Sequence, residues 1–242
     1  MNFIRRILGL GPKEPINTIK KPQAVKENRV EEKEKHFYDL DLILPVLVTE
    51  KTTAIELENQ MTSIFHNREN VFNRIVIGLA SFNYKNLDES NGGELFQVKP
   101  DDEELFLRFL VEHAEKNIQA LDINFDYWNP VDMNLDFSIL SAPITFFSSE
   151  LIMSKKHMLS AHEKLNSKEL FVSIPRRGLI FVCDKNLNEE DYKTFLNLHS
   201  YAVLKGDTDD ELLCEDIFVV ENAEIMSVLE MYQLSEILQA GI

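Results

Sequence analysis

Cysteine and glycine are scarce in this chain: its 242 residues hold two cysteines and eight glycines. Two thiols as far apart as Cys183 and Cys214 cannot frame a small disulfide-stapled fold, and they read as reduced cysteines of a cytoplasmic protein. Few glycines leave few places where backbone can approach a phosphate closely. Gly9-Leu10-Gly11 runs into Pro12 instead of a strand–helix unit, and neither a Walker-type loop nor a G-x-S-x-G elbow occurs, so dinucleotide-binding and serine-hydrolase fingerprints are missing. No stretch approaches the roughly 18 apolar residues of a membrane span. Positive charge is short as well: 25 Lys and Arg stand against 41 Asp and Glu, for a net charge of −16.

What is present is a foldable chain, 44% hydrophobic, of a length that fits one large domain or two small ones. Its charge is unevenly placed. Residues 1–35 carry nine Lys or Arg against five Glu, a surplus of four positive charges, so the remainder carries −20. A body this acidic repels phosphate backbones, which makes nucleic acid an unlikely partner and leaves basic proteins, metal cations or none.

Three segments follow from composition. Residues 1–11 place Phe3, Ile4, Ile7 and Leu8 on one helical face beside Arg5 and Arg6, a short amphipathic tip with two readings: weak membrane or partner docking, or a frayed terminus. The tip is too short for a secretory signal. Residues 12–35, with Pro12, Pro15 and Pro22 among charged residues, read as a flexible linker. Residues 36–242 read as a single α+β domain with a mainly antiparallel sheet and helices packed on one face.

Within that domain, strands are expected at 42–48, where Pro45 points to an edge or a bulge, and at 74–82. A helix is expected over 54–65. A turn at Asn91-Gly92-Gly93 leads to a short strand at 95–98, and a helix begins at 101–104 and runs to about 121 on a stripe of Phe106, Leu110, Ala114, Ile118 and Leu121. The period then changes to two: Ile123, Phe125 and Tyr127, then Met133, Leu135 and Phe137, alternate with Asp and Asn, which predicts a hairpin with one apolar and one acidic face. A helix over 147–165 comes next. Strands at 170–174 and 179–183 flank Pro175-Arg176-Arg177-Gly178, which suits a four-residue loop with Pro175 in a type I turn and Gly178 in the left-handed position. Asn188 caps a helix over 189–203, and 216–220 with 225–229 form a last hairpin or, nearly as well, the second of them starts a terminal helix. The expected core includes Phe106, Leu110, Ile118, Ile123, Phe125, Phe181 and Phe195.

Few of these residues carry recognisable chemistry. Asp122/Asn124/Asp126 and Asp132/Asn134/Asp136 each begin like an EF-hand loop, but the glycine at the sixth position and the glutamate at the twelfth are missing from both. The EF-hand is rejected, and the choice is between a solvated strand face and a sheet-surface cation site. His157 and His162 are spaced to leave a helix on different sides, and His199 lies on an apolar face as a core histidine would. Cys183 and His199 lack a third, orienting group. Arg176 and Arg177, at the expected hairpin tip, are the candidate contact for an anion or a partner. No catalytic residue, cofactor or metal site is assigned.

Several longer stretches resemble, in order and spacing, the YtpQ-like family of uncharacterised bacterial proteins. They are N-R-I-V-I-G-L-A (73–80), H-A-E-K-N-I-Q-A-L (113–121), S-S-E-L-I-M (148–153) and E-L-F-V-S-I-P-R-R-G-L-I-F-V (169–182). Ala114 and Asn117 match that family's helix motif, Ser148 and Ser149 its helix start, and Ile174, Pro175 and Arg177 its strand-pair motif; Gly178 stands where the family tends to have Asp. The resemblance covers about 42–231 and implies an α+β cytoplasmic domain without a known activity.

The expected function is therefore a non-catalytic protein-interaction module of the cytoplasm. Its acidic body would suit an inhibitor or immunity-type binder of a basic partner, with weak peripheral contact to the inner membrane through the amino terminus. The alternative is an enzyme or small-anion binder that uses Arg176 and Arg177.

Overall fold

A computed structural model describes residues 40–49, 62–63, 75–81, 94–95, 104–130, 135–205 and 211–230. The expected tip at 1–11, the linker at 12–35 and the Asn91-Gly92-Gly93 turn lie outside them. Among the described residues, two antiparallel sheets and three α-helices make an α+β fold.

The smaller sheet is built on two continuous apolar runs, β1 (Ile43–Thr49) and β3 (Ile75–Ser81), paired from Ile43↔Ser81 to Thr49↔Ile75. On the far side of β3 lie β2 (Thr62–Ser63) and β4 (Glu94–Leu95). Thr62 and Ser63 are thus strand and not the end of a helix over 54–65, the rest of which falls outside the described residues. Among the described residues β1 is an edge strand, one of the two readings Pro45 allowed. Helix α1 (Glu104–Ala120) packs on β1 through Leu110, Ala114 and Ile118, all buried. Asn117 fastens the two elements, its Nδ2 donating to Leu40 O at 2.7 Å and Ile43 O at 2.9 Å.

The larger sheet has the order β10-β9-β7-β8-β6-β5. Its strands are β5 (Asp126–Trp128), β6 (Ile139–Ser141), β7 (Glu169–Ser173), β8 (Phe181–Asp184), β9 (Ile217–Glu221) and β10 (Glu224–Leu229). Residues alternate between faces along a strand. Leu170 and Val172 accordingly join Met158 and Ala161 of α2 (Lys155–Leu165), while Phe171 joins Phe195 and Leu196 of α3 (Glu189–Lys205). The helices therefore lie on both faces of this sheet and are not gathered on one. Leu47 of β1 is buried in the cluster on the α2 face, which makes the core continuous between the sheets.

Of the expected core, Leu110, Ile118, Phe125, Phe181 and Phe195 are buried and Ile123 is partly so; the Phe106 side chain lies outside the description. Three expected elements differ. The acidic hairpin does not close on itself, because β5 pairs with Ile139–Ser141 further along, and Tyr127 points outward, 60% exposed, its hydroxyl donating to Lys164 O at 2.6 Å. The helix over 147–165 is two pieces, a 3-10 turn at Ser149–Met153 and then α2, broken where Ser154 turns extended (φ −93, ψ 108). The last hairpin is β9–β10, so 225–229 is strand and not helix, and Asn222 (φ 52) with Ala223 (φ 63) supplies the two left-handed residues of a tight turn.

Candidate functional site

The Pro175-Arg176-Arg177-Gly178 loop is larger and deeper than expected. Pairing of β7 with β8 stops at Ser173↔Phe181, which leaves residues 174–180 to form the connection. The tight turn is 176–179, closed by Leu179 N–H donating to Arg176 O at 2.9 Å, with Gly178 at φ +78 in its third position and Pro175 ahead of it. A Cβ on Gly178 would lie 2.7 Å from Thr145 O, so only glycine fits. Residues 211–213 run beside this loop: Arg177 N–H donates to Glu211 O at 2.9 Å, Leu213 N–H to Pro175 O at 3.0 Å, and Arg176 bridges Leu212. What looked like an exposed tip is thereby covered.

The two arginines turn opposite ways and neither is free at a tip. Arg176, 8% exposed, reaches the last turn of α3, where Nε donates to Ala202 O at 3.0 Å and Nη2 to Val203 O at 2.8 Å. A helix carboxyl end favours a cation there. Arg177 enters an ionic cluster. Its Nη1 meets Glu150 Oε1, Nη2 donates to Leu47 O and, at 2.9 Å, to Glu211 Oε2, and the guanidinium lies 4.8 Å from the centre of the Phe146 ring. The anions these arginines were expected to take from outside are, for Arg177, carboxylates of the chain itself.

Glu150 is wholly buried and saturated with donors: Leu47 N–H at 3.3 Å and Arg177 on Oε1, Ser149 Oγ at 2.6 Å on Oε2. Burial pushes its carboxyl up, and the Arg177 guanidinium pulls the other way. Ser149 Oγ in turn accepts from Gly178 N–H at 3.1 Å. Glu150, Glu211 and Ser149 were not singled out from the sequence; the signal for Glu150 was a lone acid inside the largely apolar stretch 143–153.

Two Ser–His contacts look catalytic and are not. Ser173 Oγ lies 2.7 Å from His199 Nδ1, and His199 Nε2–H donates to Glu215 O at 2.6 Å. Both residues are sealed from solvent, and a main-chain carbonyl stands where a carboxylate would orient the ring. Burial pulls His199 down to about 4, so it is a neutral core histidine as expected. Ser154 and His157 repeat the pattern, with Nδ1 2.5 Å from Ser154 Oγ and Nε2–H donating to Leu121 O at 3.2 Å. His162 is engaged by Ser167 O and Ala223 N, away from His157. Cys183 and Cys214 are buried free thiols, both pushed up by burial and so poor nucleophiles.

Among the described residues no group of three or more His, Cys, Asp or Glu side chains is arranged to hold a metal ion, and no helix is long and apolar enough to cross a membrane. Asp122, Asn124 and Asp126 are exposed, while Asp132 and Asn134 lie outside the description. Phe3, Ile4, Arg5, Arg6, Ile7 and Leu8 lie outside it too. Compared with protein-family models, with curated proteins and with solved structures, the chain matches none.

Proposed function

We propose that the chain is a non-catalytic protein-interaction module whose acidic body receives a basic protein, in the manner of an inhibitor or immunity protein. The observation that carries this reading is the division of its charges. The buried Glu150 and His199 and the half-buried Arg177 are engaged by the chain's own groups, whereas Glu112, Glu115, Asp122, Asp126, Glu189 and Glu190 are exposed on a molecule of net charge −16. Fields of one sign steer and select an oppositely charged partner. The reading in which Arg176 and Arg177 serve an enzyme or a small-anion site has less support, since both guanidiniums are committed internally.

Kinship with the YtpQ-like proteins belongs to the same proposal. Its support is spatial: Asn117, Ser149 and Arg177, which carry the resemblance, bind Leu40 and Ile43, Glu150 and Gly178, and Leu47 around a single joint. A cytoplasmic location, with residues 1–11 giving weak contact to an anionic membrane, completes the reading.

The test is affinity capture on the full chain, followed by binding of the purified partner across a salt series. A partner rich in Lys and Arg, whose affinity falls steeply as salt rises, is the expected result. A neutral or acidic partner held equally at high salt contradicts the proposal. Saturable binding of inorganic phosphate by calorimetry would favour the anion-binding reading instead.

A further inference from the structure

The tip of the β9–β10 hairpin is held by a side chain from α2. Its two tip residues, Asn222 (φ 52) and Ala223 (φ 63), lie outside the ladder, so the Ala223 N–H has no acceptor in the opposite strand. The left-handed region also strains an alanine, which stays there only where its surroundings fix it. Here His162, in the last turn of α2, supplies the fixing group: its Nε2 accepts from Ala223 N–H at 3.3 Å. The other edge of the ring is tied to Ser167. Ser167 O lies 2.9 Å from Nδ1, and Ser167 N–H donates to His162 O at 3.1 Å across the left-handed Asn166 that ends the helix.

The two partners fix the form of the ring. A carbonyl only accepts, so Nδ1 carries the hydrogen; a main-chain N–H only donates, so Nε2 offers its lone pair. Neutral imidazole in that one tautomer satisfies both. A second proton on Nε2 removes the lone pair and turns two donors toward each other, while the bond to Ser167 O survives in either state. His162 is half-buried, at the rim where Leu165, Ala223 and Ile225 pack against the cluster on the α2 face. The charged groups around it are Glu163 and Lys164 on α2, Lys168 before β7, and Asp184 of β8, whose Oδ1 accepts from Ser167 Oγ at 2.7 Å. Glu169, Glu221 and Glu224 are in register across three strands, but Leu170, Val220 and Ile225 face α2, so alternation turns these carboxylates to the opposite face.

We propose that His162 is a proton-operated clasp on the last hairpin. The neutral ring fastens the strained turn to α2. A proton taken from solvent at Nε2 releases Ala223, and the tip of the hairpin loosens while the β9–β10 ladder stays closed. Imidazole is the side chain that changes charge between about pH 5 and 8, so the clasp answers to mild acid.

Residue-resolved NMR on the full chain from pH 8 to 5 tests this. At pH 8 the His162 ring nitrogens should show hydrogen on Nδ1 and none on Nε2. On acidification the Ala223 amide should shift with the midpoint of His162 itself. Its exchange, corrected for intrinsic rates, should quicken about fivefold, the equivalent of one ordinary hydrogen bond, while the Val219 and Val220 amides hold. His162→Gln offers a carboxamide oxygen that does not titrate, and it should leave Ala223 with no midpoint in this range. An Ala223 amide blind to the His162 titration overturns the clasp, as does a His162 that takes no proton above pH 5 or carries its hydrogen on Nε2 at pH 8. The same midpoint persisting in His162→Gln overturns it too, since another group would then be moving the turn. The wild-type titration decides the matter if the variant does not fold.

Discussion

The two faces of the six-stranded sheet bury ionisable groups in opposite ways. On the α3 face His199 is neutral, and each ring nitrogen has one partner, Ser173 and the carbonyl of Glu215. Beside the α2 face the Glu150–Arg177–Glu211 cluster is ionic, with one cation between two carboxylates and a buried oxygen left over. A neutral network is satisfied by geometry alone, whereas an ionic one depends on every member, because each charge was taken out of water for the others. The pH signs differ accordingly. A histidine lowered in the fold stabilises least at acid pH. A carboxyl raised in the fold contributes fully below its unfolded value of 4.5 and loses that contribution as pH rises through its raised value.

The largest effect should come from removing the shared cation. Arg177→Met leaves Glu150 buried with no counter-ion, so that it must stay charged in the core or take up a proton, and a break of that kind costs about 3–5 kcal/mol. Urea unfolding of the variant at neutral pH measures it. A loss below about 1 kcal/mol would mean that the buried Glu150 does not depend on this cation.

Next comes the acid limb of His199. The unfolded imidazole takes a proton near 6.5 and the folded one only near 4, so stability is full above the first value and falls as pH drops toward the second. At about 1.4 kcal/mol per pH unit, the loss reaches roughly 2 kcal/mol by pH 5 and about 3 kcal/mol in all. Unfolding free energies of the wild type and His199→Gln, compared from pH 7.5 to 4.5, should converge toward acid. Parallel curves would mean that His199 is not the group that titrates.

A third test concerns the backbone that aims Arg177. Gly178→Ala puts a Cβ 2.7 Å from Thr145 O at φ +78, and the strain should cost about 1–3 kcal/mol. If the ionic joint depends on this turn, the Phe146 ring, which stacks under the guanidinium, should shift its NMR resonances in this variant and not in His199→Gln.

The elements the sequence revealed are those fixed by local pattern. The apolar runs of β1, β3, β7 and β9, the Leu110/Ala114/Ile118 stripe and the Asn188 cap, whose Oδ1 accepts from Asp191 N–H at 2.9 Å, all depend on near neighbours. What escaped depends on distant ones. Arg176 and Arg177 looked exposed because proline and glycine mark a turn; the first is buried and the second half-buried because residues 211–213, more than thirty positions on, lie alongside. β5 skipped its apparent partner for the same reason: alternation fixes which side chains share a face, not which strand they pair with. The break at Ser154 follows from tertiary contacts, since Ser154 and His157 bond each other and fasten α2 to the carbonyl of Leu121.

The smallest expected effect tests the converse of the buried clusters, that exposed charge on this molecule carries little structural weight. Asp122, Asn124 and Asp126 lie in the open, and among the described residues Asp126 reaches only Lys164, at 3.8 Å. Calcium needs six to eight oxygens at 2.3–2.6 Å, gathered by a closed loop or a rigid cage. A segment whose side chains point into water at every second position gathers two or three at most, and the hydrated ion loses more than it gains. Exposed pairs of the Lys164–Asp126 kind contribute about 0–1 kcal/mol, so a cation that displaced the lysine would change little. Millimolar Ca²⁺ or Mg²⁺ should therefore leave the melting temperature of the full chain within about 1 °C of its value in EDTA, as ligand linkage requires for a site that stays empty. A rise of several degrees, abolished by Asp126→Asn, would mean that residues 131–134 complete a cage around the acidic run, and that a charge cluster outside both faces of the sheet matters more to this fold than the one inside.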